Sequence, residues 1–394
     1  AAKLHNAYQH MMVRACWRFQ VVLLASLAPQ ISGHEAARSM RNALLEDSIP
    51  LSVVSYHGGL RLLVDVRPQR FDGEWLPKQR LLLDTGSSTL AFCKRQFIVA
   101  AEYEPSNFIA CNEYNPGGKT SGYWGPFVTG AIQVAHLTWN MSNYTIMVQE
   151  TLMPCTDGID GIFGIAFGQL DAAFVAADKS QIIVSDSNFT CPSNSSGSVW
   201  SPLTEHLFSG HSQKLGIFWA GKKGHVYLGE AAVNNEHYSN GHQYALTAKL
   251  GEQGYYNIEL LSISVGQEIF GHTGPASPCI LDTGTPTIVL PQEVYDASTQ
   301  QNGTLVLRVA GFNSAPNGFI DLVFDLGLLK MFGWVTAGNE ATGLILGLPL
   351  WAFYYTVFDI RSREVVFIPN SLDVQHASNA SHNGGRFLQS LNLV

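Results

Sequence analysis

The chain has 394 residues, of which 46% are hydrophobic and 14% charged. That is apolar material for large cores and length for two lobes. A net charge of −8 and a pI near 5.9 argue against nucleic acid as a partner and permit work at acidic pH. The six Cys and 13 His form no CxxC pair and no HExxH, so no metal spacing is present.

No Met stands at position 1, so Met11 or Met12 reads as the start, unless the chain is a fragment. Arg14 and Arg18 lead into an apolar run over residues 19–28, and Ser26-Leu27-Ala28 and Ile31-Ser32-Gly33 each end in small residues suited to cleavage. The run is about ten residues, too short for the roughly 20 that span a bilayer. Residues 1–32 are therefore expected to be upstream residues and a signal peptide; the other reading is the start of a buried helix. Secretion also fits the Asn-x-Ser/Thr sequences at Asn140, Asn143, Asn188, Asn194, Asn302 and Asn379.

If Cys16 leaves with the signal, five Cys remain and one is unpaired. Cys93–Cys111 and Cys155–Cys191 are plausible disulfides, though spacing alone does not prove either. Cys279, close before Asp282, is the candidate buried free thiol.

Residues 33–50 are polar and helix-prone. From 51 to 83, apolar runs (Leu51-Ser52-Val53-Val54, then 60–66) alternate with Gly58-Gly59 and Phe71-Asp72-Gly73, which reads as strands and hairpins. The chain then reaches Leu81-Leu82-Leu83-Asp84-Thr85-Gly86-Ser87-Ser88-Thr89-Leu90. The same pattern returns as Ile280-Leu281-Asp282-Thr283-Gly284-Thr285-Pro286-Thr287-Ile288. Each copy is an apolar strand, Asp-Thr-Gly, a hydroxyl residue and an apolar exit. Gly86 and Gly284 allow a tight turn, so a carboxylate can sit at the tip of a loop held by apolar strands. Two such loops facing each other would bring two carboxylates within a hydrogen bond. Like charges that close cannot both ionise, so one keeps a proton. The ionised member can activate water and the protonated one can donate to a carbonyl oxygen.

Between the copies, Gly122-Tyr123-Trp124-Gly125-Pro126 lies between apolar runs and suggests a hairpin tip. Ile162-Phe163-Gly164 and the later Leu344-Ile345-Leu346-Gly347 read as buried strands with a Gly where backbones pass closely. Asp157, Asp160 and Asp359 read as turn-formers. Residues 168–200 read as an exposed, glycosylated insertion. Leu215 to Glu230 reads as a closing hairpin, and a boundary between halves falls near 231–240. The tail beyond Asn370 is polar, without a membrane span.

On the two Asp-Thr-Gly loops and the two apolar-apolar-Gly strands, residues 76–367 resemble the pepsin-like aspartic proteases. The resemblance implies an all-β, bilobal fold with the cleft between two similar β lobes, 51–232 and 233–370. A short pro-segment-like stretch would occupy 33–50 and a polar tail 371–394. It implies Asp84 and Asp282 as the catalytic pair. Thr85 and Thr283 would brace the loops through crossed hydrogen bonds, and Ser87 and Thr285 would bond the outer carboxylate oxygens. Gly86 and Gly284 complete the two loops. Counting back from Gly130 puts Tyr123 in the place of the tyrosine on the flap, the hairpin that folds over the cleft. The family often has Trp where this chain has Ala91, so Trp124 or another group must restrain Tyr123. Pro286 stands where Ser is usual and should change shape rather than chemistry. The interval from Asp282 to Gly347 is shorter than that from Asp84 to Gly164, so the second lobe is trimmed.

The implied reaction is attack of an activated water on a peptide carbonyl, without metal or cofactor. The implied partners are polypeptide substrates, met by a monomer in the secretory pathway, exported or held in an acidic compartment, without a stable membrane anchor. Two other readings are a binding or inhibitory protein on the same fold and a single-lobe protease that must dimerise. The intact triplets oppose the first, and two copies in one chain oppose the second.

Overall fold

The computed structural model describes residues 47–370, except 57–58, 71–72, 94–106, 115–120, 148, 152–154, 156–157, 168–169, 171–172, 176–181, 186–187, 193–206, 208–211, 252–253, 272–277, 313–316 and 339–342. The expected signal peptide and polar tail lie outside the described residues, as does the pro-segment-like stretch up to residue 46; its last residues, Ser48 to Pro50, instead begin the first strand and pair with Lys223–Leu228.

The alternation read from the early sequence folds as antiparallel strands. Ser48–Tyr56 pairs with Gly59–Pro68, Leu51 opposite Val64. Within Gly59–Pro68, Leu62, Leu63, Val64 and Val66 are buried. Gly59–Pro68 then pairs with Gln79–Asp84, the strand that delivers Asp84.

The internal repeat is visible in the strand pairing. Gly161–Gly164 runs parallel to Gln79–Asp84, with Asp84 opposite Gly164, and antiparallel to Leu90–Cys93. In the second half Leu344–Leu346 runs parallel to Pro278–Leu281 and antiparallel to Ile288–Leu290. In both copies a central strand fills the space between the strand that enters the Asp-Thr-Gly loop and the strand that leaves it. Glycine ends both central strands for a steric reason. A Cβ on Gly164 would lie 2.7 Å from Thr89 N and O, and one on Gly347 would lie 2.1 Å from Thr287 O. No side chain fits at either place.

Among the described residues the strands form a 15-stranded sheet, an 8-stranded sheet and a two-stranded ribbon. The large sheet holds the first repeat but also recruits late strands. Tyr354–Asp359 pairs with Lys214–Ala220, and Glu364–Pro369 pairs with Leu246–Lys249. The two halves therefore share a sheet, and one hydrophobic cluster runs through both, from Leu81 and Phe163 to Leu281 and Leu344. Each such fully buried aliphatic side chain contributes about 1.5–3 kcal/mol relative to exposure. The helices are short. Leu326–Met331 starts at Asp325, whose Oδ1 accepts from Leu328 N at 2.9 Å. No described helix is long and apolar enough to cross a membrane.

The segment expected to be an exposed insertion is partly core. Ala173–Val175 extends the large sheet by pairing with Phe108–Ala110. Phe174 and Phe189 are buried, and Cys191 anchors the segment to Cys111. Its polar composition masked these few apolar anchors.

Candidate active site

The two Asp-Thr-Gly loops meet with near-perfect exchange of roles. Thr85 Oγ1 donates to Leu281 O and Thr283 Oγ1 donates to Leu83 O, each at 2.8 Å. Thr85 N donates to Thr283 Oγ1 at 3.0 Å, and Thr283 N to Thr85 Oγ1 at 2.9 Å. Both threonines are fully buried. Each hydroxyl donates once and accepts once across the pseudo-twofold, so no buried loop donor here is left without a partner.

The carboxylates are held the same way. Gly86 N donates to Asp84 Oδ1 and Gly284 N to Asp282 Oδ1, both at 2.8 Å. Ser87 Oγ donates to Asp84 Oδ2 and Thr285 Oγ1 to Asp282 Oδ2, both at 2.5 Å. The glycines face the opposite carboxyl. A Cβ on Gly86 would lie 2.7 Å from Asp282 Oδ1, and one on Gly284 would lie 2.6 Å from Asp84 Oδ1. Neither glycine is in the left-handed region. Both glycines lie in the expected turns, and the close approach of the other acid is a second reason for glycine at each place.

Asp84 is 5% exposed, while Asp282 is partly exposed. Burial holds the Asp84 carboxyl well above the ordinary carboxylate range. The charge of the facing Asp282 raises it further, and the bonds from Ser87 and Gly86 act against the rise. Asp84 therefore keeps its proton above the usual carboxylate range.

Tyr123 is not at a hairpin tip. It lies inside the strand Ser121–Val134, opposite Asn112 of Phe108–Tyr114. The connection between these strands is residues 115–120, outside the described residues. Tyr123 is fully buried beside Ala91, Cys93, Met147, Cys155 and Ile162. Its hydroxyl accepts from Asn112 Nδ2 at 2.9 Å, and the same amide donates to Thr89 Oγ1 at 3.2 Å. Asn112, on the neighbouring strand, therefore supplies one restraint on Tyr123. Trp124 packs on the other side, with Cys111 and Phe189.

The tyrosine that the sequence pattern did not single out is Tyr114, the last residue before the hairpin connection. Its ring is 6.3 Å from that of Tyr123. Its hydroxyl is buried and makes no hydrogen bond of good geometry, although the hydroxyls of Ser87 and Tyr123 lie close to it. Burial pushes its pKa well up, followed by the charges of Tyr123 and Asp84, while the nearby Ser87 hydroxyl acts against the rise. The signal was available: Asn115-Pro116-Gly117-Gly118 is a stronger turn sequence than Gly122–Pro126. Tyr255 is 40% exposed, and burial raises its pKa, followed by the charges of Asp282 and Asp84.

The disulfides are Cys93–Cys155 and Cys111–Cys191, not the short-loop pairs Cys93–Cys111 and Cys155–Cys191. Cys93 joins the core beside Tyr123, whereas Cys111 belongs to a different cluster with Phe174 and Phe189. Their separation follows from strand placement, which loop length does not reveal. Cys279 is free and buried, as expected. Pro286 lies against the first hairpin, where a Cβ on Gly59 would come 3.0 Å from Pro286 Cβ.

Residues 76–312, which contain both Asp-Thr-Gly loops, match the model of the eukaryotic aspartyl protease family. The chain is also 23% identical to pepsin B of the dog, Canis lupus familiaris, over 354 residues, covering 80% of this chain and 82% of that protein.

Proposed function

The chain belongs to the eukaryotic aspartyl protease family, and on that premise we propose that it is an active aspartic endopeptidase working through Asp84 and Asp282. The observation that carries the reading is the exchange of hydrogen bonds that sets the two carboxyl groups face to face. A water held between them loses a proton to the ionised carboxylate as its oxygen attacks the peptide carbonyl carbon. The protonated carboxyl gives its proton to the carbonyl oxygen. Collapse of the resulting diol breaks the C–N bond, and the amine leaves with a proton from the pair. No enzyme atom bonds to the substrate.

Asp84 and Asp282 are the catalytic residues in this reading. Thr85, Gly86, Ser87, Thr283, Gly284 and Thr285 hold them. We assign the group that covers the cleft to Tyr114 in place of Tyr123. The buried Tyr114 hydroxyl, without a hydrogen bond of good geometry, supports this, because a substrate polar atom would satisfy it. Apolar side chains beside the cut, an acidic working pH, a monomer and entry into the secretory pathway through a signal in residues 1–32 complete the proposal.

The test is cleavage of denatured globin at mildly acidic pH, blocked by pepstatin. Folded protein without its pro-segment that shows no cleavage would overturn the reading and favour a binding protein on the same fold.

A further inference from the structure

A second tie joins the two catalytic loops, through a residue outside both. Tyr256 is fully buried. Its ring stacks on Phe358, with centroids 4.6 Å apart, and meets Phe167 edge-on at 4.8 Å. Its hydroxyl donates to Ile165 O at 2.7 Å. The amide of Ile165 donates to Asp84 O at 2.9 Å. At the other end, Tyr256 O accepts from Leu281 N at 2.8 Å, and Leu281 is the residue before Asp282. Three hydrogen bonds therefore run from the main chain of one acid to the residue preceding the other. Leu281 is pinned on both sides, since its carbonyl accepts from Thr85.

We propose that Tyr256 is a positioning residue for the carboxyl pair: its phenol fixes the distance between the two Asp-Thr-Gly loops and so the strength of their proton sharing. The inference rests on the protease reading for its kinetic consequence, but its geometric content does not. The threonine exchange lies at the turn residues themselves. The tyrosine tie lies beneath them and resists sliding of one half over the other. Every polar atom in the path is buried and satisfied, so removing the hydroxyl strands Ile165 O without a donor. The ring stack survives in Tyr256→Phe, so the substitution removes only the tie.

Loosening the loops weakens the repulsion that keeps a proton on the pair. The basic limb of the kcat/KM profile reports loss of that proton. Tyr256→Phe should move that limb to lower pH by several tenths of a unit. It should lower kcat about three- to tenfold while KM changes less than twofold, as expected when reacting groups are slightly misplaced. A core substitution remote from the loops, Leu228→Ala, should lower Tm without moving the limb. If Tyr256→Phe lowers Tm but leaves kcat, KM and the basic limb unchanged, Tyr256 is a packing residue and the proposal fails. Should Tyr256→Phe not fold, Tyr256→Trp, which changes the reach of the donor, is put through the same measurements: a shifted limb supports the tie, and an unmoved one ends it. Infrared titration of the protonated carboxyl band, with Asp84→Asn as the reference, reads the pair without any substrate. If the wild type is inert, the protease reading falls, and the titration alone decides Tyr256.

Discussion

The two Asp-Thr-Gly loops and the regions that enclose them have opposite characters. Between the loops, equivalent hydrogen bonds agree to within a tenth of an ångström: 2.8 Å for both threonine hydroxyls, 2.8 Å for both glycine amides, 2.5 Å for both outer oxygens. Around them little is shared. The first loop is flanked by a long hairpin and two disulfides. The second has a free buried Cys279 close by and Pro286 pressed against Gly59 of the other half. A shared proton requires that both acids be held alike, whereas the walls of a cleft need only fit what enters it. Symmetry therefore persists where the chemistry is carried and lapses outside it.

The sharpest way to break that symmetry is to remove one acid. Asp84→Asn or Asp282→Asn should reduce turnover on the order of a thousandfold. The thermal transition should stay close to wild type, because Asn keeps the shape. Asp84→Asn should also remove a pH effect. With its folded pKa raised by burial and then by Asp282, Asp84 favours the folded state when protonated. That stabilisation is present below the ordinary carboxylate pKa and is lost as pH rises through the raised folded value. Retained turnover in either variant would refute the catalytic assignment.

Next in size is the threonine exchange. Thr85→Val leaves Thr283 N and Leu281 O buried without partners. Each stranded group costs roughly 1–3 kcal/mol, so Tm should fall by several degrees. Turnover should drop ten- to a hundredfold as the carboxyls shift. Thr283→Val should match it closely, since the bonds are reciprocal. Calorimetry and steady-state kinetics on both variants check this; unequal losses would show that the symmetry is only geometric.

The difference in legibility follows the same line. Asp84, Ser87 and their counterparts could be read because each bond in the loop closes within three residues, and the repeat supplied a second copy. The two crossing glycines could be read only through the repeat, since each meets a residue far along the chain, Gly164 at Thr89 and Gly347 at Thr287. Tyr114, the disulfide partners and Tyr256 could not. Each depends on which strands meet after long excursions, and no local spacing encodes that. The hairpin illustrates the failure. The glycines around Tyr123 and Trp124 suggested the tip, and the count from Gly130 agreed with them, whereas the pairing of Tyr114 with Ser121 places the connection before both aromatics.

A smaller effect separates the two hairpin tyrosines. Tyr114→Phe should lower kcat/KM about tenfold, because the hydroxyl is lost where a substrate would meet it. Tyr123→Phe should cost about 1 kcal/mol of stability by breaking the Asn112 bond and change kcat/KM less than threefold. The reverse order would return the covering role to Tyr123.

The smallest effect lies away from the loops, where His237 of the short helix Glu236–Gly241 packs on the sheet face bearing His225. His237 stacks on Phe218 at 3.5 Å and lies 6.2 Å from Tyr227 and 5.9 Å from Tyr355. His225 stacks on Tyr227 at 5.6 Å, and its Nδ1 is buried without a partner. Burial depresses both pKa values. Lys223 lowers His225 further, and His225 lowers His237, while Glu236 acts the other way on His237. The folded state therefore holds these rings neutral where the unfolded chain would protonate them. Stability should decline as pH falls from the ordinary histidine value of about 6.5 toward the depressed folded values, and level off below them. His225→Phe should flatten that decline in a series of thermal melts between neutral and acidic pH, while leaving the catalytic profile in place. An undiminished slope in the variant would move the acid sensitivity elsewhere. A flattened one would make this face, rather than the carboxyl pair, the element that limits how acidic a medium the folded protein withstands.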